Sequence, residues 1–182
     1  MLNCFLWITE KRFIIENKMK IPIVNEQDEI IGYKEREDLS FEDIYRITNL
    51  WVNDPEGNIL LTKRSLNKKV NPGLWSTAVS GTVEEGETYE SNIIKEAEEE
   101  IGLKDLKPVL DRKIRRTTKR QYFSQWFKVV IDHDYPFLKQ EKEVSDIKWF
   151  SRAELEQSLK ETPEIFLTSV KEFLDYFHAN KS

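Results

Sequence analysis

The chain has 182 residues, 39% of them hydrophobic and 34% charged, with a formal net charge of -5. That length suits one hydrophobic core and is short for two, and the composition is that of a folded domain, not of a disordered segment. The acidic balance argues against a nucleic-acid polymer or an anionic membrane as partner, while a local basic pocket could still bind small anions. A single cysteine, Cys4, excludes an internal disulfide, and the two distant histidines, His133 and His178, cannot form a zinc cluster. A reducing cytoplasm fits this usage.

The apolar start, Met1 to Ile8, has no preceding positive charge and no small-residue cleavage site, and it is far shorter than the ~20 residues that span a bilayer. Met19 is followed at once by a strand-like segment, so residues 1–18 are expected to be an extension and residues 19–182 a single domain. Apolar runs rich in Ile, Val, Trp and Phe predict strands over 21–24, 30–33, 45–52 and 59–62, the last two joined as a hairpin through the turn residues 53–58. A further strand is expected over 75–83. A stretch without Gly or Pro then predicts a helix over 89–101.

Beyond Gly102, alternating patterns predict strands near 109–116, 122–131 and 144–150. Two helices close the chain. One starts at Ser151 with Glu154 three residues on, the capping-box pattern; the other starts near Thr162-Pro163 and runs to Phe177. The expected fold class is α/β (α+β), a mixed central sheet with helices packed on its faces. The aromatics Trp51, Trp75, Tyr122, Phe123 and Trp126 read as core residues on strands, and His133 as exposed and uninvolved.

Within Lys95-Glu96-Ala97-Glu98-Glu99-Glu100, the helical period puts Glu96, Glu99 and Glu100 on one face and turns Glu98 away. Like charges at this spacing destabilise a helix by about 0.2 to 0.5 kcal/mol per pair, so the arrangement invites a cation. Carboxylates without nearby His or Cys favour Mg²⁺ or Mn²⁺. An acidic run alone is more often a solvated helix face. The spacing of Gly81, Glu87, Lys95, Glu96, Glu99, Glu100, Gly102 and Leu103 tips that balance.

Residues 81–103 resemble the Nudix box, the loop–helix–loop unit of Nudix hydrolases, with Lys95 where that family usually carries Arg. The resemblance implies an α/β/α sandwich and a hydrolase, dependent on Mg²⁺ or Mn²⁺, that cuts a diphosphate linkage in a small molecule such as a nucleoside diphosphate derivative. It also implies that Glu96, Glu99, Glu100 and the Gly81 carbonyl ligate the metal and that Glu87 assists through water or Lys95. Lysine keeps the charge but not the forked geometry of Arg, which bears on rate more than on identity.

The segments around Arg64, Lys68 and Lys69 and around Glu143 resemble the branch that contains isopentenyl-diphosphate isomerase. By that likeness Arg64, Lys68 and Lys69 contact substrate phosphates, and Glu143, with Glu141 as its nearest competitor, occupies a position used for acid/base work and metal binding. The isomerase needs a cysteine ahead of the box and histidine ligands. Ser80 stands in the cysteine's place with no histidine after it, which favours hydrolysis over isomerisation. An isomerase-like enzyme and a catalytically silent nucleotide-binding module remain the competing readings, and a homodimer is left open.

Overall fold

Strand β3 (Ile44–Asn53) has five buried residues in succession, Thr48 to Val52, because helices cover both sheet faces. Leu50 and Val52 enter one core, under helix α1 (Tyr89–Ile101); Trp51 enters the other, under α2 (Arg152–Glu161) and α3 (Thr168–Ala179). The same division runs along β4 (Ile59–Arg64), where Leu60 faces the first core and Ile59 and Leu61 the second. The structure is a computed structural model and describes residues 20–179, with side chains through residue 176. The expected extension, residues 1–18, and Cys4 lie outside the described residues.

The N-terminal hairpin pairs β1 (Lys20–Val24) with β2 (Ile30–Glu35), and β1 meets β3 at Val24 and Ile44. The expected β3–β4 hairpin is present, with Val52 opposite Leu60. Its turn is held by Asp54, which accepts from the backbone N–H of Asn58 at 2.7 Å. Strand β3 runs parallel to β8 (Gln121–Val130), and β8 pairs antiparallel with β7 (Val109–Thr117). On its other edge β4 pairs antiparallel with β9 (Val144–Phe150). The result is a mixed sheet between helix layers, as expected. Among the described residues no helix is long and apolar enough to cross a membrane.

Three expectations shift. The strand expected over 75–83 is two: β5 (Trp75–Thr77) pairs with β4, whereas β6 (Val79–Thr82) pairs with β3. The chain changes partner at Ala78, which local alternation does not encode. The last helix starts at Thr168, not near Pro163; Pro163–Ile165 forms a single 3₁₀ turn. Phe166 is then extended and bridges Trp75, while the Leu167 N–H donates to the Trp75 carbonyl at 2.8 Å. Burying Phe166 on the sheet edge outweighs helical continuation. At Ser151 half of the capping box forms: the hydroxyl accepts from the Glu154 N–H at 3.1 Å, but the Glu154 carboxylate pairs with Lys148.

Trp51, Trp75, Phe123 and Trp126 are core as expected, whereas Tyr122 is only half-buried, beside Tyr45. Trp75 meets Phe150 edge-on, and Trp51 and Trp126 both stack on Phe173. His133 is exposed as expected; its Nδ1 lies 2.6 Å from the buried Asp54 carboxylate and its ring stacks on Trp149.

Candidate active site

Helix α1 carries the box, and its ends are defined locally. Thr88 accepts from the Ser91 N–H at 3.0 Å while the Ser91 hydroxyl accepts from the Thr88 N–H at 2.9 Å, a reciprocal cap. Gly102 closes the helix in the left-handed region at φ 67°, with the Leu103 N–H bonded back to the Ala97 carbonyl. Ile93, Ala97 and Ile101 lie one turn apart and are fully buried in the first core. That anchors one face of the helix and leaves Asn92, Glu96 and Glu100, spaced at the same interval, to line the neighbouring one.

Gly81 on β6 meets this second stripe. A Cβ built there would fall 2.5 Å from Glu96 Cγ and 2.7 Å from its Oε1, so strand and helix approach only because residue 81 has no side chain. Gly81→Ala is therefore expected to displace the flexible Glu96 side chain, lowering activity about a hundredfold while costing the fold about 1 kcal/mol. Parallel kinetics and urea unfolding check this; full activity in the variant would contradict the role given to the contact.

Beside Gly81 a polar hub forms that the sequence reading missed. Asn92 is fully buried; its Oδ1 accepts from Thr48 at 2.5 Å, and its Nδ2 donates to Glu87 at 2.8 Å and to the Thr82 carbonyl at 3.2 Å. Its position one turn before Glu96 was the available signal. Lys95 bridges Glu87 at 2.6 Å and Glu84 at 3.0 Å, so the expected Lys95–Glu87 partnership is present and Glu84 is an unforeseen third member. Burial alone would lower the Lys95 ammonium, but contact with Glu87 and then Glu84 holds it above the usual lysine range. Burial would likewise raise Glu87, yet Lys95, the Glu84 N–H and Asn92 hold it below the usual carboxylate range.

The opposite holds for the two inner carboxylates. Burial, reinforced by the charges of Glu99, Glu84 and Glu87 and opposed by Lys95, pushes Glu96 up to about 7. Burial, then Glu96 and Glu143, push Glu100 up to about 8 against the opposing charges of Lys68 and Arg64. Glu143 thus acts on Glu100 across a long sequence gap. The segment before β9 brings it there: the Gln140 N–H donates to the Glu100 carbonyl at 2.9 Å, and the Ser65 N–H donates to the Glu143 carbonyl at 2.9 Å.

The other expected site residues divide. Lys68 forms an ion pair with Glu143, and Arg64 donates from Nε and Nη2 to the Val70 carbonyl at 3.2 and 3.1 Å. Lys69 and Glu99 are exposed, and Glu141 pairs with Lys139 at 3.1 Å away from this pair. Among the described residues no three acidic or histidine side chains are already gathered into a closed ligand set. Glu96 is close enough to raise Glu100, but the inner carboxylates are not closed around a point. An open groove of about 370 Å³ lies elsewhere, lined by Leu60, His133, Phe137, Ile147 and Trp149, and none of the box carboxylates reaches it.

The raised pair gives a pH dependence. Unfolded carboxyls ionise near 4.5, whereas Glu96 and Glu100 keep their protons to about 7 and about 8 in the folded chain. The folded state therefore binds more protons than the unfolded state across that window, and their contribution to stability declines as pH rises through it. The metal-free protein is expected to melt lower at pH 8.5 than at pH 6, with the slope flattened in Glu100→Gln and with Mg²⁺ raising the melting temperature more at the higher pH. Thermal melts at the two pH values check this; a slope unchanged in Glu100→Gln would contradict it.

A mixed sheet between helix layers, with a glycine-bounded acidic helix packed against the central strand, defines a Nudix-type fold. The NUDIX domain profile matches residues 45–169, and the chain belongs to that family. It is 34% identical over 87 residues to an uncharacterized Nudix hydrolase, SCO1686, of Streptomyces coelicolor, a match covering 47% of this chain and 48% of that protein. It is 43% identical over 61 residues to the isopentenyl-diphosphate Delta-isomerase of Salmonella heidelberg, 32% of this chain and 34% of the isomerase. The match thus spans about half the length of the first of these curated relatives and about a third of the second. DR0079 from Deinococcus radiodurans has the same fold, with a TM-score of 0.71 at 22% identity over 86% of this chain and 98% of that one.

Proposed function

We propose that this chain is a divalent-metal-dependent hydrolase that cleaves a diphosphate linkage in a small molecule, nucleoside diphosphate derivatives included. The observation that carries the reading is Glu96 and Glu100 on α1, both half-buried and both raised, with Glu96 set against a glycine that leaves room for it. Two carboxyls held at about 7 and about 8 are poised to exchange protons for a cation near neutral pH. The donors are hard oxygens, which suits Mg²⁺ or Mn²⁺ and not softer ions. Glu96, Glu99, Glu100 and the Gly81 carbonyl would hold the ion, which when bound neutralises diphosphate oxygens and acidifies an attacking water.

The remaining work falls to the chain itself. Glu99 and Glu143 are the carboxylates available to accept the water proton, one exposed on the acidic face and the other facing Glu100. Lys95 keeps Glu87 ionised and fixed beside Asn92. Arg64 and Lys68 supply cations near the Glu100 end for substrate phosphates, with the exposed Lys69 next in the chain, and Lys68 exchanges its Glu143 contact for one to the substrate.

The isomerase-like relative motivates a second reading. Ser80, paired with Asn49 across β3 and β6, stands where that branch carries cysteine, and a serine hydroxyl lacks a readily ionised thiol. A panel of nucleoside and prenyl diphosphates incubated with Mg²⁺ separates the two. Metal-dependent release of phosphate or nucleoside monophosphate is expected; an intact panel with interconverted double-bond isomers would overturn the hydrolase reading.

A further inference from the structure

Arg36 lies in the 3₁₀ turn that follows β2, in a segment the sequence reading assigned no role. Although 46 residues separate them, its Nη1 donates to the Thr82 hydroxyl at 3.3 Å. Its Nη2 lies 3.9 Å from Glu84 Oε1. These contacts set a guanidinium from the N-terminal hairpin beside Thr82 and Glu84, one and three residues after Gly81. Glu84 is held more closely by Lys95, at 3.0 Å, which it shares with Glu87, than by Arg36.

The hold on Arg36 is loose. Its side chain is 59% exposed, and its described contacts are one long hydrogen bond and one distant ion pair, which leaves most of the fork's five donors facing solvent. Neighbouring cations are engaged more closely: Lys34 with Asp43 at 2.8 Å, Arg46 and Lys113 with Asp28 at 2.7 Å, and Arg115 with Glu26 at 2.9 Å. Asp28 also accepts from the Tyr89 hydroxyl at 3.0 Å, which ties the β1–β2 turn to the start of α1. The hairpin that carries Arg36 is therefore fastened to the box helix through a group separate from Arg36.

The charges along the site form a sequence in space. Arg36 borders Glu84 and Lys95, Glu84 and Glu87 act on Glu96, Glu96 acts on Glu100, and Glu100 feels Glu143, Lys68 and Arg64. The acidic stripe thus has cations at both ends, Lys68 and Arg64 at the Glu100 end and Lys95 and Arg36 at the other.

We propose that Arg36 is a substrate-anchoring residue that binds a phosphate or other anionic group of the substrate at the end of the acidic stripe opposite Lys68 and Arg64. The assignment rests on the hydrolase reading above. A planar fork suits bidentate contact with a phosphate better than an ammonium does. An interaction made equally in ground and transition states appears in KM and leaves kcat in place.

The test uses the full chain with Mg²⁺ and the non-hydrolysable probe methylene diphosphonate, followed by calorimetry. Arg36→Ala is expected to bind it about tenfold more weakly than wild type, Arg36→Lys to fall between them, and Lys119→Ala, in the exposed β7–β8 turn, to match wild type. On a cleaved substrate Arg36→Ala should raise KM by a similar factor with kcat within about twofold. Binding by Arg36→Ala equal to wild type, or a loss no larger than that of Lys119→Ala, overturns the proposal, as does a wild type that does not bind the probe. Cleavage by wild type that is indifferent to Arg36 removes the anchor and keeps the hydrolase; Arg36-dependent binding without cleavage does the reverse.

Discussion

Glu99→Gln is expected to lower metal-dependent turnover about a thousandfold while shifting the melting temperature by no more than about 2 °C. Glu99 lies on the acidic face of α1 but is exposed, so the exchange neither opens a cavity nor strands a buried partner. A neutral amide also relieves repulsion with Glu96, whose carboxyl is raised in part by the Glu99 charge. The amide, however, brings no negative charge to a cation and cannot accept a proton. Steady-state kinetics beside a thermal melt separate these effects. Undiminished turnover would remove Glu99 from the mechanism, and a large fall in melting temperature would give it a structural role instead.

Phe173→Ala is expected to cost about 3–5 kcal/mol and lower the melting temperature by roughly 10 °C or more. Phe173 is fully buried on α3, with ring centroids 3.9 Å from Trp51 and 4.7 Å from Trp126. Removing the ring uncovers two indoles that themselves line the second core. The flanking strand residues are fixed by β-pairing and cannot close the gap. Because this core lies across the sheet from α1, kcat measured well below the transition should change little. Urea unfolding with Lys171→Ala as an exposed control checks the value; a cost under about 1 kcal/mol would contradict the docking of α3 on the sheet.

Much of the fold was legible because local signals repeat. The strand runs at 21–24, 30–33, 45–52 and 59–62 and the box helix at 89–101 correspond to β1 to β4 and α1. Helix α1 was legible to the residue because its ends rest on neighbours in sequence, Thr88 with Ser91 and Gly102 with Ala97 and Glu98. The start of α3 was not, because Phe166 is drawn into a bridge with Trp75, and no local periodicity encodes a partner so far away. The break at Ala78 has the same cause: β5 and β6 answer to different strands.

The site divides along the same line. Helical spacing alone put Glu96, Glu99 and Glu100 on one face, and the resemblance to the Nudix box marked Gly81 and Gly102, since a 3.6-residue period and a helix-ending glycine are properties of the chain near itself. Tertiary structure decided the rest. It brought Glu143 and Lys68, 75 residues apart, to the Glu100 end of that face and Arg36 to the Glu84 end. It also buried Asn92 between Thr48 and Glu87. Those meetings depend on strand register and on the path of the segments between strands, which are settled by burial of both sheet faces at once. The sequence named the carboxylates; packing against Gly81 and the neighbouring strands determined which of them are raised, which are held ionised, and which cations stand beside them.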